Sequence, residues 1–324
     1  MIDFAQPTGY SSIKNRKSTG AHYTPTNLSD FVAKQIALHV PKLKRDVIIG
    51  DPAIGDGELL FSLTDALLKN GSHISKAVGF DIDKAALQAS KDKLLPFKDI
   101  EVDLRHTDFT EFAVSESNNG LFAEKTGLLF DAVIANPPYV RTQVLGSDKS
   151  QLLAKQFGLN GRVDLYHAFI LGIANVLREG GIVGIIVSNR FITTKSGENL
   201  RENISDIFDI LHIWDFGDTQ LFEAAVLPAV LLLRKKTLKS DAVTPGFSSI
   251  YTEKKSAERV VEVNTVFDAI KMSGLVKING KNIYNVQHGS LDVGKSKKSV
   301  WRISNSNVDD WLKKVEEKTF LTFS

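Results

Sequence analysis

The sequence contains no cysteine. Disulfides, thiolate metal sites and cysteine nucleophiles are excluded together, and no metal site of another kind is expected. It also lacks any apolar run approaching the roughly 18 residues that suggest a membrane-spanning helix. Met1 to Tyr10 holds no basic segment followed by an apolar stretch, so no signal peptide is visible. A cytoplasmic location with no membrane partner is the expectation. An excess of charge of one sign is missing too. Lys and Arg number 40 against 38 Asp and Glu, a formal net charge of +2. A DNA-binding module often carries a strong basic excess, because it must neutralise phosphates, and the whole chain shows no such signature. Local basic clusters stand at Lys14, Arg16 and Lys17, at Arg234, Lys235 and Lys236, and at Lys295, Lys297 and Lys298. On charge alone each reads as a solvated surface segment.

What is present is the pattern of an α/β protein. The 324 residues suffice for one large or two ordinary domains. After a polar stretch over 1–23, apolar spacing predicts a helix from Thr26 to Val40, ended by Pro41. Short apolar runs then alternate with amphipathic segments. Strands are predicted at Val47–Gly50, Ala77–Phe80, Glu101–Arg105, Phe130–Ala135, Ile182–Val187, Leu211–Phe216 and Val226–Leu233. Helices are predicted at Glu58–Lys69, Asp83–Leu95, Asp164–Leu177 and near Gly197–Phe208, with Gly180-Gly181 as the stop of the third. The stretch from Arg141 to Arg162 reads as a long polar loop. Alternating strands and helices argue for a mostly parallel sheet covered on both faces. Such sheets bind ligands beyond the carboxyl ends of their strands. The rhythm breaks after about residue 237, and Thr237 to Pro245 is a candidate boundary. The chain stops in the apolar run Thr319 to Ser324, as a domain cut short or continued elsewhere would.

The first strand runs into Asp51-Pro52-Ala53-Ile54-Gly55-Asp56-Gly57. Glycines there permit a sharp turn and the close approach of a ligand. Alone this is also an ordinary strand-to-helix turn. Leu60 stands where the dinucleotide fingerprint needs its third glycine, which disfavours pyrophosphate binding. The second strand ends in Phe80-Asp81-Ile82-Asp83. Asp81 can accept from ribose hydroxyls, and Asp83 reads as a helix cap. After the third strand, Asp108 could accept from an adenine amine, with Phe109 against the ring. Each aspartate alone is a cap or turn residue. Asp51, Asp81 and Asp108 together are expected to converge on one edge of the sheet.

The fourth strand ends in Asn136-Pro137-Pro138-Tyr139. Two prolines fix φ and remove two backbone donors, and Pro137 restrains Asn136 to an extended conformation. The Asn136 carboxamide oxygen and a backbone carbonyl can accept both hydrogens of an NH2 group. The nitrogen lone pair then points elsewhere, for example at a methyl donor. Tyr139 offers a flat face for a base, an interaction of about 1–3 kcal/mol. Positioning and polarisation carry such a transfer, and no prior general base is required.

These segments, in this order, resemble gamma-class adenine-N6 DNA methyltransferases of restriction–modification systems. Gly20-Ala21-His22-Tyr23-Thr24-Pro25 looks like the motif that precedes the glycine turn in that class. Asp164 to Phe169, Gly180 to Val183 and Leu221-Phe222 are similar to further family segments, and the match covers about residues 18–236. The resemblance implies a Rossmann-like class I methyltransferase sheet of seven strands, the last antiparallel, with S-adenosylmethionine as cofactor. By resemblance, Tyr23 and Thr24 line the cofactor pocket, and Asp51, Ala53 and Gly55 hold its methionine end. Asp81 with Ile82 takes the ribose, and Asp108 with Phe109 the cofactor adenine. Asn136 and the Pro137 carbonyl hold the target amine within the rigid Pro137-Pro138 turn, and Asn136 also borders the cofactor. Tyr139 stacks on the target base and Phe222 contacts it from the other side. The target adenine has to leave the duplex.

The implied partner is double-stranded DNA. The expected domains are a catalytic domain over 1–237 and the start of a truncated target-recognition domain over 238–324. A separate recognition part or restriction subunit would complete it. Three other readings remain open: a protein-glutamine methyltransferase, an RNA adenine methyltransferase, and a non-catalytic cofactor-binding or DNA-binding subunit.

Overall fold

Unbroken apolar runs form the centre of the first sheet. Val47–Asp51 (β1) and Phe130–Ala135 (β4) are buried along almost their whole length, the pattern of parallel strands covered on both faces. They pair with Ile49 opposite Ala132 and Gly50 opposite Val133. Ile74–Asp81 (β2) flanks β1 with Gly79 opposite Asp51. Glu101–His106 (β3) flanks β2 with His106 opposite Asp81. Leu177–Ser188 (β5) lies beside β4. The order is β3-β2-β1-β4-β5, and every pair is parallel. This register brings the ends of β1, β2 and β3 to one edge. The structure is a computed structural model, and it describes residues 24–43, 45–117, 126–140, 147–157, 164–222, 227–238, 243–254 and 260–304.

The helices around this sheet are Thr26–His39 (α1), Glu58–Lys69 (α2), Lys84–Leu94 (α3), Phe109–Ser117 (α4), Ser147–Phe157 (α5) and Tyr166–Val176 (α6). In α2 the buried Leu59, Leu60, Leu63 and Leu67 recur at helical spacing. In α1 the buried Leu28, Phe31, Val32 and Ile36 do the same. A Cβ at Gly184 of β5 would lie 2.7 Å from Val32 and 2.8 Å from Ile36, so this glycine lets α1 sit directly on the strand. Two polar ties hold α1 to α2. Ser62 Oγ donates to Asp30 at 2.9 Å, and Asn70 Nδ2 to the Ala37 carbonyl at 2.7 Å.

Met1–Val187 is one compact unit and Ser188–Ser324 a second. The second holds Arg190–Thr193 (α7), a 3-10 turn at Lys195–Gly197 and Glu198–Ile207 (α8). Its strands are Phe208–Asp215 (β6), Pro228–Lys235 (β7), Gly246–Thr252 (β8), Val261–Val263 (β9), Gly274–Ile278 (β10), Asn282–Asp292 (β11) and Arg302–Ser304 (β12), with the short helix Val266–Ala269 (α9) after β9. The order is β7-β6-β8-β11-β10-β9, and β12 pairs with β11. β7 runs antiparallel to β6, and β8 runs parallel to it.

The fold class is the expected one, and the strand count is not. Seven strands were expected and the described residues hold twelve. The five additional strands lie between Gly246 and Ser304. Two of them span only three residues, too few to show a period of two. The Gly180-Gly181 pair also differs from expectation. It lies inside β5, where the register slips between Phe130/Leu177 and Ala132/Ile182. Gly180 has φ +74°, a conformation that lets the extra residues loop out as a bulge. Part of the expected polar loop over 141–162 is helix α5, with Leu153 and Phe157 buried.

Candidate functional site

Four loops at the carboxyl ends of β1, β2, β3 and β4 carry the residues singled out by sequence. The turn after β1 is braced from two sides. Gly55 and Gly57 have φ of +54° and +84°, values that strain any residue with a Cβ. A Cβ at Gly57 would also come 3.0 Å from Ser90 Cα of α3. At Gly55 the same position meets open space. The Gly55 amide donates to Asp81 Oδ2 at 3.0 Å, and its carbonyl accepts from Ser90 Oγ at 2.7 Å. Lys93 of α3 reaches back to Asp56 at 3.0 Å and Glu58 at 2.5 Å. Neither Ser90 nor Lys93 carries a sequence signal, because their partners lie more than thirty positions upstream.

Asp51 is wholly buried at the end of β1. Its Oδ1 accepts from the Ala53 amide at 3.0 Å, and its buried Oδ2 has no hydrogen-bond partner. Burial pushes its pKa up to about 8, the Ala53 bond opposes this, and the Asp81 and Asp56 carboxylates add to the rise. Asp81 is raised as well, first by burial, against the bonds it accepts from Asp83 and Gly55. Asp83 caps α3 through the Ala85 amide at 2.8 Å. Between them Ile82 is 65% exposed, a large apolar side chain held out at this edge. Asp108 caps α4, with Oδ1 accepting from the Thr110 amide at 2.8 Å and its hydroxyl at 2.6 Å. The Phe109 ring is packed inward, edge-on to Phe80 at 5.3 Å and stacked on Phe169 at 5.7 Å.

Asn136 is half-buried beyond β4. Its Nδ2 donates to Thr24 Oγ1 at 2.9 Å, and its Oδ1 accepts from the Tyr139 hydroxyl at 2.9 Å. Thr24 immediately precedes Pro25, whose carbonyl accepts from the Leu28 and Ser29 amides at the start of α1. Helix α1 thus brings two segments 112 positions apart into contact. Pro137 is buried and Pro138 half-buried. The turn is held from beyond by the Leu165 amide, which donates to the Val140 carbonyl at 2.8 Å. Burial, then the neighbouring Tyr166 phenol, holds Tyr139 protonated. The next residue, His167, is buried and its pKa falls to about 3, so the ring is neutral. Tyr166 is a neighbour of Tyr139 that the sequence reading left without a role.

Tyr23 and the Lys14, Arg16 and Lys17 cluster lie outside the described residues. Phe222 belongs to the second unit, buried in the turn after β6. The two other basic clusters are in that unit as well, and they are largely paired. Arg234 meets Asp209 at 2.9 Å, Lys298 meets Glu202 at 3.3 Å, and Lys297 pairs with Asp206. Among the described residues no three His, Asp or Glu side chains form a group suited to a metal. No helix among them is long and apolar enough to cross a membrane.

Comparison with known proteins gives this edge its relatives. Residues 75–222 match the model of the Eco57I restriction-modification methylase. The type II methyltransferase M.BanIII of Aneurinibacillus aneurinilyticus is 37% identical over 322 residues, covering 95% of this chain and 55% of that protein. M.BstVI of Geobacillus stearothermophilus is 27% identical over 258 residues, covering 72% of this chain and 45% of the relative. The chain spans about half the length of the curated relatives it matches. Among solved structures, a protein of Listeria monocytogenes assigned as a class I S-adenosylmethionine-dependent methyltransferase aligns with a TM-score of 0.55 at 22% identity, over 69% of this chain and 65% of that one. That likeness is one of fold. Residues 75–222, with the Asn-Pro-Pro-Tyr loop beyond β4, thus carry the match to the restriction–modification methylases, and the braced glycine turn ahead of them lies in the stretch aligned with M.BanIII.

Proposed function

We propose that this chain carries the catalytic part of a DNA methyltransferase that uses S-adenosylmethionine to methylate N6 of an adenine turned out of the duplex. The observation that carries the proposal is Asn136, whose carboxamide stands at the carboxyl edge of the sheet between two hydroxyls. An Asn side-chain oxygen and the adjacent Pro137 carbonyl are a matched acceptor pair for an NH2 group. With both hydrogens held, the amine is oriented and its lone pair left available.

The residues at the edge fit the cofactor. The orphaned Oδ2 of Asp51 is a buried acceptor beside an open glycine turn, suited to an ammonium group. Asp81 is suited to hydroxyls, and the exposed Ile82 to the face of a flat ring. Asp51, Ala53, Gly55, Asp81, Ile82 and Asp108 are accordingly assigned to cofactor binding, together with Thr24 and Tyr23, while Phe109, packed inward on Phe80 and Phe169, supports Asp108 from beneath. When bound, S-adenosylmethionine supplies an electrophilic methyl group. Tyr139 is assigned to stacking on the target base, and Phe222 to its other side. The domains we assign are catalysis over 1–237 and, over 238–324, the beginning of a recognition domain that works with a further part, although strand pairing within the second unit crosses residue 237.

Incubation with labelled S-adenosylmethionine and duplex DNA, RNA and protein in parallel tests the proposal. Label is expected in DNA as N6-methyladenine, and Asn136→Ala is expected to abolish it while calorimetry shows cofactor binding retained. Label in glutamine side chains or in RNA alone would overturn the DNA assignment. Transfer at an undiminished rate by Asn136→Ala would overturn the amine-holding role.

A further inference from the structure

The terminal torsion of an asparagine is broad, since its χ2 has no sharp staggered wells. A half-buried Asn136 at the end of β4 would therefore sample many amide orientations unless held. The structure holds it at both ends. Thr24 Oγ1 accepts from Nδ2 at 2.9 Å, and the Tyr139 hydroxyl donates to Oδ1 at 2.9 Å. The two tethers are not equivalent. Tyr139 is three residues away on the same loop, whereas Thr24 is anchored by Pro25 and α1, which packs on β5 through Gly184 and is tied to α2. Only the Thr24 tether belongs to an element fixed independently of the loop.

We propose that Thr24 is a positioning residue for Asn136, and that the Tyr139 hydroxyl occupies in this state the lone pair that the target N–H takes. This rests on the amine-holding role proposed above. A carboxamide oxygen has two lone pairs, and a bond from Tyr139 leaves one. A Tyr139 that turns to stack on a base withdraws its hydroxyl from Oδ1 and frees that site. At that moment the Thr24 bond alone keeps Nδ2 turned away and Oδ1 facing the incoming amine. Tyr139 and the target amine exchange one acceptor, and Thr24 keeps that acceptor in place.

The test compares Thr24→Val, which keeps the shape and loses the hydroxyl, with Thr24→Ser, which restores the hydroxyl. The Asn136 side-chain amide signal is identified in the nitrogen-15 spectrum by its loss in Asn136→Asp. In Thr24→Val one Nδ2 proton is expected to move upfield and to exchange faster with solvent, and in Thr24→Ser both changes are expected to revert. At saturating S-adenosylmethionine, Thr24→Val should lower kcat for DNA by about 10- to 100-fold, as for a misplaced reacting group, and Thr24→Ser should recover most of it. An Asn136 signal indifferent to Thr24→Val overturns the inference. So does a shifted signal with kcat unchanged. Absence of any transfer by the unmutated chain supplied with the further recognition part proposed above overturns the parent reading instead, and the amide signal still reports the bond by itself.

Discussion

Asp51 shows how one buried group ties the site to stability. Its carboxyl is wholly enclosed and one oxygen is unpartnered, so burial raises its pKa to about 8. An unfolded aspartate titrates near 3.9. Between these values the folded chain keeps a proton that the unfolded chain has lost, so stability falls as pH rises and levels off above about 8. Asparagine has the shape of the protonated acid and does not titrate. Asp51→Asn should therefore match the parent near pH 4 and exceed it at pH 9 by on the order of a few kcal/mol. Urea denaturation at the two pH values measures this, and an equal gap at both would refute it. Such an asparagine should also bind S-adenosylmethionine poorly, because it cannot give up a proton to become the carboxylate that would pair with the cofactor's ammonium group.

The elements separate what sequence shows from what it hides. Phe130–Ala135 and Glu58–Lys69 were readable to the residue, since one is an unbroken apolar run and the other has leucines at helical spacing between Gly57 and Asn70. Asp83 was readable as a cap. Helix α4 was not, because Asp108 and Phe109 look alike whether they face a ligand or open a short helix. β5 extends through a glycine pair that also reads as a stop. Asp51, Asp81 and Asp108 were legible as a set, because a parallel sheet puts successive strand ends on one edge. The Thr24 to Asn136 bond was not, because nothing local reports a contact across 112 positions. The turn after β1 offers a clean test at this scale. Gly57 and Gly71 share positive φ of +84° and +80°, yet only Gly57 faces a backbone, Ser90 Cα at 3.0 Å. Gly71→Ala should cost about 1 kcal/mol for its conformation. Gly57→Ala should cost more, about 2–4 kcal/mol, because α3 must also give way. Equal losses on urea denaturation would remove Ser90 from the account.

At the scale of the molecule, the second unit is held together by segments from both sides of residue 237. Parallel pairing sets β8 against β6, with His212 opposite Gly246 through to Asp215 opposite Ser249. A polar thread runs across the same strands. His288 Nε2 donates to the Met272 carbonyl, which leaves Nδ1 to accept from Ser248, and Ser248 in turn meets His212 at 2.9 Å. At the amino end of the unit, the buried Arg201 donates to the Phe191 and Thr194 carbonyls and twice to that of Lys298. Trp301, 1% exposed, packs edge-on to Phe191 at 5.6 Å, and its amide donates to the Ile192 carbonyl. Trp301→Ala should therefore destabilise this unit by about 3–5 kcal/mol. A chain ended at Thr237 should fare worse. It would bare the β6 edge and strip Arg201 of the Lys298 carbonyl, leaving a buried charge short of partners. Thermal melting of the 1–237 fragment should show aggregation or a much lower Tm than the full chain. If that fragment instead melted where the full chain does, residues 238–304 would be an appendage to a core that ends where the rhythm of the sequence breaks.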